Sequence, residues 1–262
     1  MLIFLKLGGS LITDKSRPET ARPEAIARLA GEIAEALQAH PDLALLIGHG
    51  SGSFGHMAAA RYGTHEGVEG PEAWRGFAKV ALSAARLNHI MLEALDRAGV
   101  PVFRVQPSAS AVCRGGQLIE MALRPLQKAL EEGLVPLVYG DVAIDEVQGG
   151  AIISTETIFG YLAHHLTPVR ILLAGGFKGV QDREGEVIAR ITPDSLGELQ
   201  TALGGSGQTD VTGGMASKVA SMLALCEAIP GLRVHIFSGE QPGNVYTALT
   251  GDDLPFGTQL SA

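Results

Sequence analysis

The stretch Gly48–His56 (GHGSGSFGH) concentrates residues that can bind and orient an anion. Gly48, Gly50, Gly52 and Gly55 interleave with Ser51 and Ser53, and His49 and His56 bracket the loop. Glycines let a backbone bend and approach a ligand closely, so successive N–H groups can converge on one anion. The apolar run Leu43–Ile47 precedes the loop and reads as a buried strand, and His56 begins the next helical stretch. An anion held there would meet backbone donors, hydroxyls, a helix N-terminus and an imidazole together. A ligand-free strand-to-helix turn is the plainer alternative, but it would need fewer glycines.

Lysines are scarce and placed unevenly. Of the six, Lys6, Lys15, Lys178 and Lys218 lie in or beside glycine-rich or polar loops, away from Lys79 and Lys128. In a chain of net charge −8, that placement favours a localised phosphate site over a solvated basic face. The same charge argues against a nucleic-acid partner. Lys6 lies near the end of a first strand, Leu2–Leu7, and Gly8-Gly9-Ser10 follows it, then Leu11–Lys15. A plain turn explains Gly8–Ser10 as readily as a phosphate loop does. Ala174–Val180 is another glycine loop after a strand (Val169–Leu173), and Thr209–Lys218 leads into a helix over Met215–Ala228.

The elements between these loops alternate. Helices are predicted over Pro23–Ala39, over two segments within Met57–Ala98, and over Leu123–Glu132, Thr155–Leu166 (capped by Ser154) and Asn244–Leu249. Strands are predicted at Val100–Val105, Leu134–Tyr139, Arg233–Phe237 and Gly257–Leu260, with a hairpin of Val142–Ile144 and Ala151–Ile153. Gln106–Gly116 reads as a loop or hairpin. This is an α/β fold with a largely parallel sheet, in which ligands collect beyond the carboxyl ends of the strands. Glycine makes up 34 of 262 residues in separated loops, which suggests several places where backbone meets ligand. A weak division falls near Pro168. In the second helix after the histidine loop, Trp74, Phe77, Ala78, Ala81, Leu82, Ala85, His89 and Leu92 share a face that is either core or the wall of an apolar pocket.

Several functions are excluded by missing partners. Gly50-x-Gly52-x-x-Gly55 matches a dinucleotide fingerprint, but no acidic residue ends a following strand at the required distance. There is no Walker-type P-loop, and no serine has the flanking glycines of a hydrolase nucleophile elbow. Cys113 and Cys226 form neither metal spacing nor a disulfide framework, which suits buried thiols in a reducing compartment. No membrane helix or signal peptide is expected, so the chain reads as soluble and cytoplasmic. What remains is phosphate chemistry at several glycine-rich loops with spaced lysines; phosphoryl transfer, for one, is mostly positioning and charge stabilisation, and lysines with N–H donors supply both.

Lys6–Ser10 (KLGGS) and Asp210–Lys218 (DVTGGMASK) resemble the amino acid kinase superfamily along the whole chain. Within it, the SFGH ending of Gly48–His56, Leu11–Lys15 (LITDK), Tyr139–Val142 (YGDV) and the IFSGEQPGNVYTAL run from Ile236 resemble the isopentenyl phosphate kinase family. The related fosfomycin kinases share the histidine loop and supply the alternative acceptor. A regulatory domain that merely binds a small anion is a further alternative, but Lys15 and His56 argue against it.

The resemblance implies a three-layer αβα sandwich with an open, mostly parallel sheet, in one domain spanning 1–262. It implies an acceptor-binding lobe (1–167) and an ATP-binding lobe (168–262), Mg²⁺-dependent phosphorylation of isopentenyl phosphate, and a homodimer. His56, Lys15 and Lys6 match catalytic positions. Ser51, Gly52, Gly55, His56 and Thr155 match the acceptor side. Lys6, Gly8, Gly9, Ser10, Gly52, Gly176, Lys178, Gly179, Gly213, Gly214 and Lys218 match the nucleotide side. No metal-ligating side chain is implied. Two departures matter. Ser154-Thr155-Glu156 puts Glu156 where the superfamily often has Asp, so Glu156 is expected to hold a lysine. Gly175–Val180 loses two carboxylates and gains Lys178.

Overall fold

The computed structural model describes residues 1–64, 67–195 and 214–262, apart from the side chains of residues 56–58 and 61. Gly213 and Thr209–Thr212 therefore lie outside the described residues, as does the imidazole of His56. In chain order the strands are β1 (Leu2–Leu7), β2 (Ala44–His49), β3 (Val102–Arg104), β4 (Val112–Arg114), β5 (Gln117–Glu120), β6 (Val135–Tyr139), β7 (Asp141–Asp145), β8 (Gly149–Ile153), β9 (Arg170–Gly175), β10 (Arg190–Ile191), β11 (Arg233–Ser238) and β12 (Thr258–Leu260). The helices are α1 (Gly9–Ile12), α2 (Pro23–Ala39), α3 (Gly52–Tyr62), α4 (Gly70–Arg97), α5 (Arg124–Glu131), α6 (Thr155–Leu166), α7 (Met215–Ala228) and α8 (Asn244–Thr250).

The main sheet runs in the order β10-β12-β11-β9-β1-β2-β6-β3. Strands β11 through β3 are parallel to their neighbours, and β12 alone runs antiparallel to β11. Alternation along β1 divides the interior. Ile3, Leu5 and Leu7 join Ile26, Leu29 and Ile33 of α2, Leu87 and Met91 of α4 and Val245 of α8. Phe4 points the other way, into a core with Phe159 of α6 and Leu223 of α7. Successive side chains of a strand face opposite sides, so a strand buried on both must be apolar throughout. Helices on both faces make the expected three-layer αβα arrangement. A smaller sheet, β5-β4-β7-β8, lies at the β6 side. There β7 and β8 form the expected hairpin.

Most elements match the pattern-based expectations, and two departures fall at the histidine loop. β2 extends to His49, so His49 ends a strand and the loop proper starts at Gly50. α3 begins at Gly52, inside the glycine run. Strands β5 and β10 carry no strong periodicity and were not expected.

The face of α4 needs correction. Its buried residues are Gly76, Val80, Ser83, Ala84, Leu87, Asn88, Met91 and Leu95. Trp74, Ala78, Leu82 and His89, assigned to the inner face, are exposed. Counting only apolar residues rotated the helix, because its buried stripe includes Ser83 and Asn88, which enter the interior through hydrogen bonds. Ser83 Oγ donates to Phe54 O at 2.7 Å, and Asn88 pairs with His49. Phe77 and Ala81 flank the stripe and pack on a small apolar cluster of Ala59, Val80 and Val142.

Candidate active site

Strand register sets the site. Leu7 is level with His49 and Ala174, His49 with Tyr139, and Ser238 with Gly175. The carboxyl ends of five parallel strands thus finish together, and the loops after them share one edge.

The first two glycine loops pack backbone against backbone. A Cβ on Gly9 would come within 2.6 Å of Gly52 Cα, and one on Gly50 within 2.9 Å of Gly9 N. Gly52 has φ +49°, and its Cβ would sit 2.2 Å from Thr13 Oγ1. The close packing accounts for these glycines and leaves their donors in one place. Gly8 N–H donates to Ala174 O (2.8 Å), Gly50 N–H to Leu7 O (3.0 Å) and Ser53 N–H to Thr13 Oγ1 (3.0 Å). The N–H groups of Gly9, Ser10, Ser51 and Gly52 pair with nothing among the described residues. Such donors at a helix start are a ready anion site.

Glu156, in the first turn of α6, lies between two lysines. Lys6 Nζ is in contact with Glu156 Oε1, and Lys218 Nζ from the first turn of α7 lies 3.3 Å from the same oxygen. Burial would raise the Glu156 carboxyl, but Lys6 and Lys218 together hold it down to about 2. Burial lowers the Lys6 ammonium, with Glu156 opposing and the charges of Lys218 and Lys15 adding to the fall. Glu156 thus pairs with both lysines, a role expected of it for one. Lys15 is exposed on a turn closed by Asp14 N–H donating to Thr20 O at 2.9 Å.

The residues expected on the acceptor side divide. Thr155 is buried and its hydroxyl donates to His49 O at 2.6 Å, leaving its N–H at the α6 start for a ligand. Gly55 packs on Ser51, where a Cβ would meet Ser51 Oγ at 2.2 Å. His56 lies on α3 one turn after Gly52.

On the other side, Gly176 opens toward Ser10, with Ser10 Oγ 3.8 Å from a Cβ placed on it. Lys178 is exposed. Gly179 is buried where a Cβ would strike Val187 and Thr258, so packing already requires glycine there. Gly214 (φ +23°) precedes α7.

Some residues in this region carry no sequence motif. Arg22 forms a two-pronged ion pair with Glu240 and also donates to Ser10 O (3.3 Å), joining two loops of the edge. Glu32 accepts Val245 N–H (3.0 Å) and Tyr246 N–H (3.3 Å), which anchors the start of α8. A buried acid on an amphipathic helix, as Glu32 is on α2, was the one available signal.

The amino acid kinase family profile matches residues 1–238. The chain belongs to the amino acid kinase family. Among proteins it is similar to, an isopentenyl phosphate kinase of Methanothermobacter thermautotrophicus is 35% identical, with 99% of each chain covered. Another isopentenyl phosphate kinase, from Haloferax volcanii, is 36% identical over 93% of this chain and 98% of its own length. A crystal structure of isopentenyl phosphate kinase superposes with a TM-score of 0.82 at 30% identity, covering 99% of this chain and all of the other. Amino acid kinases are phosphotransferases, and the cationic, donor-rich edge of this one suits that chemistry.

Proposed function

We propose that the chain transfers the γ-phosphoryl group of ATP to isopentenyl phosphate, giving isopentenyl diphosphate and ADP. The observation that carries this reading is the Lys6–Glu156–Lys218 cluster beside the unpaired N–H groups of two interlocked glycine loops. The substrate comes from the similarity to isopentenyl phosphate kinases over nearly the whole chain.

An acceptor phosphate monoester has its second pKa near ~6, so its attacking oxygen is anionic at neutral pH. The chain therefore needs no strong general base. Its task is to bring two anions together and stabilise charge on the oxygens between them. In this reading the N–H groups of Ser51 and Gly52, with Thr155 N–H, Gly55 and His56, receive the acceptor phosphate. His56 orients that phosphate and partly neutralises it. Lys6 and Lys15 offset charge on the transferring group, and Glu156 keeps Lys6 in place. Gly8, Gly9 and Ser10 cradle the donor phosphates. Lys218, Gly214, Gly213, Gly176, Lys178 and Gly179 serve the nucleotide side. Residues 1–167 form the acceptor lobe and 168–262 the ATP lobe.

The described residues offer no cluster of three His, Cys, Asp or Glu side chains for a metal ion, and Glu156 is already committed to two lysines. In this reading Mg²⁺ arrives bound to the ATP phosphates. The reading extends to a cytoplasmic homodimer. No described helix is long and apolar enough to cross a membrane.

The test is ADP release from Mg²⁺-ATP with isopentenyl phosphate, fosfomycin, UMP and glutamate as separate acceptors. Turnover with isopentenyl phosphate well above the others is expected. Preference for another acceptor overturns the substrate, and no turnover with any overturns the enzyme reading.

A further inference from the structure

His49, the last residue of β2, is entirely buried and has no part in the chemistry above. Its carbonyl accepts Thr155 Oγ1–H (2.6 Å) and Gly140 N–H (3.0 Å). Its ring stacks on Tyr139, with centroids 5.6 Å apart and planes 8° from parallel. Nδ1 lies 3.1 Å from Gly50 O and Nε2 lies 3.1 Å from Asn88 Nδ2; a carbonyl oxygen only accepts and an amide NH₂ only donates, so these partners call for a proton on Nδ1 and none on Nε2.

We propose that His49 is a positioning residue for phosphoryl transfer: its Nδ1–H, kept in that tautomer by Asn88, holds the Gly50 carbonyl and so aims the Ser51 N–H at the phosphates. Gly50 C=O and Ser51 N–H belong to one trans peptide plane and point in opposite directions. Fixing the oxygen toward the buried ring therefore turns the N–H away from it. That N–H pairs with no described residue. A glycine at position 50 leaves this peptide easy to flip, so something outside the loop must hold it.

Asn88 supplies the second observation. Its Oδ1 is buried and pairs with no described residue. Turning the amide over would pair Oδ1 with an Nε2–H. The proton would then leave Nδ1, and a bare nitrogen would face the Gly50 oxygen. An imidazolium would serve both partners, but burial disfavours it and pushes the ring down to about 4. The orphaned oxygen is thus the cost of the tautomer that holds Gly50.

The proposal rests on the kinase reading, which wild-type turnover tests separately. Two variants divide the contacts of the ring. His49→Asn keeps an N–H where Nδ1 was, and His49→Gln keeps a group opposite Asn88 but loses the bond to Gly50. Steady-state kinetics with isopentenyl phosphate and thermal unfolding are measured on both. Losing one aimed donor costs about 10²–10³-fold in rate, and a loosened one less. His49→Gln is expected to lose about tenfold or more in kcat with the KM for ATP unchanged, and His49→Asn less than about threefold, at similar Tm. Equal kcat losses in the two, or losses that follow Tm, overturn the proposal. Nitrogen-15 NMR of the wild-type ring is the second measurement. A protonated Nδ1 and a bare Nε2 are expected, and the opposite tautomer overturns the proposal even where the variants fail to fold.

Discussion

Replacing Glu156 by Gln removes one charge and little volume, and its consequences follow from the geometry. The carboxyl lies at about 2 against an ordinary 4.5. At about 1.36 kcal/mol per pKa unit, that displacement corresponds to roughly 3 kcal/mol of stability. Burial of the Lys6 ammonium works against it, so the net loss is smaller. Lys218 adds little to stability, because its side chain is 37% exposed and solvent screens the pair. We expect Glu156→Gln to cost about 1–3 kcal/mol. In a chain of this size that lowers Tm by several degrees. The larger effect is kinetic. Without the carboxylate, Lys6 and Lys218 repel one another across the site, and misplacement by about 1 Å costs on the order of 10²-fold in kcat. Urea unfolding and steady-state kinetics on the same preparations separate the two effects. A variant that loses stability but keeps kcat within threefold would show that Glu156 is a structural ion pair alone. The sign of the pH effect is also fixed. A depressed carboxyl contributes stability above its unfolded pKa and loses it as pH falls through the folded value, so the wild-type margin over Glu156→Gln shrinks between about pH 4.5 and 2.

Further outcomes follow from the same structure. His56→Ala is expected to reduce kcat by about 10²-fold or more and His49→Ala by about tenfold, measured by ADP release; equal losses would remove His56 from the acceptor phosphate. Gly52→Ala places a Cβ 2.2 Å from Thr13 Oγ1 at φ +49°, so Tm and kcat both fall, whereas Gly175→Ala, with nothing nearer than 4.0 Å, leaves Tm unchanged within about a degree. Lys218→Met is expected to lower kcat/KM for ATP with Tm nearly intact, and a matching loss of Tm would contradict a role at the phosphates. Arg22→Ala costs less than about 1 kcal/mol in urea unfolding, since both partners are more than a third exposed.

Local rules made much of the molecule legible in the sequence. Apolar runs bounded by turn residues place β1, β6, β9 and β11 within a residue or two, and period and caps place α2, α6 and α7. Strands alternating with helices imply a parallel sheet, and such a sheet brings its carboxyl-end loops together, so Gly8–Ser10 and Gly50–Gly52 could be expected at one edge. Tertiary structure decided which groups meet there. Lys6, Glu156 and Lys218 belong to three segments far apart in the chain, and no local pattern shows that one carboxylate serves both cations. The inner face of α4 was misread because Ser83 and Asn88 are buried through hydrogen bonds, which a hydropathy period does not register. His49 and His56 look alike within one glycine-rich loop. Only the extension of β2 puts the His49 ring in the interior, where burial makes it neutral and its neighbours choose its tautomer. Periodicity follows from the chain's own geometry, whereas the partners of a buried polar group depend on how distant elements pack.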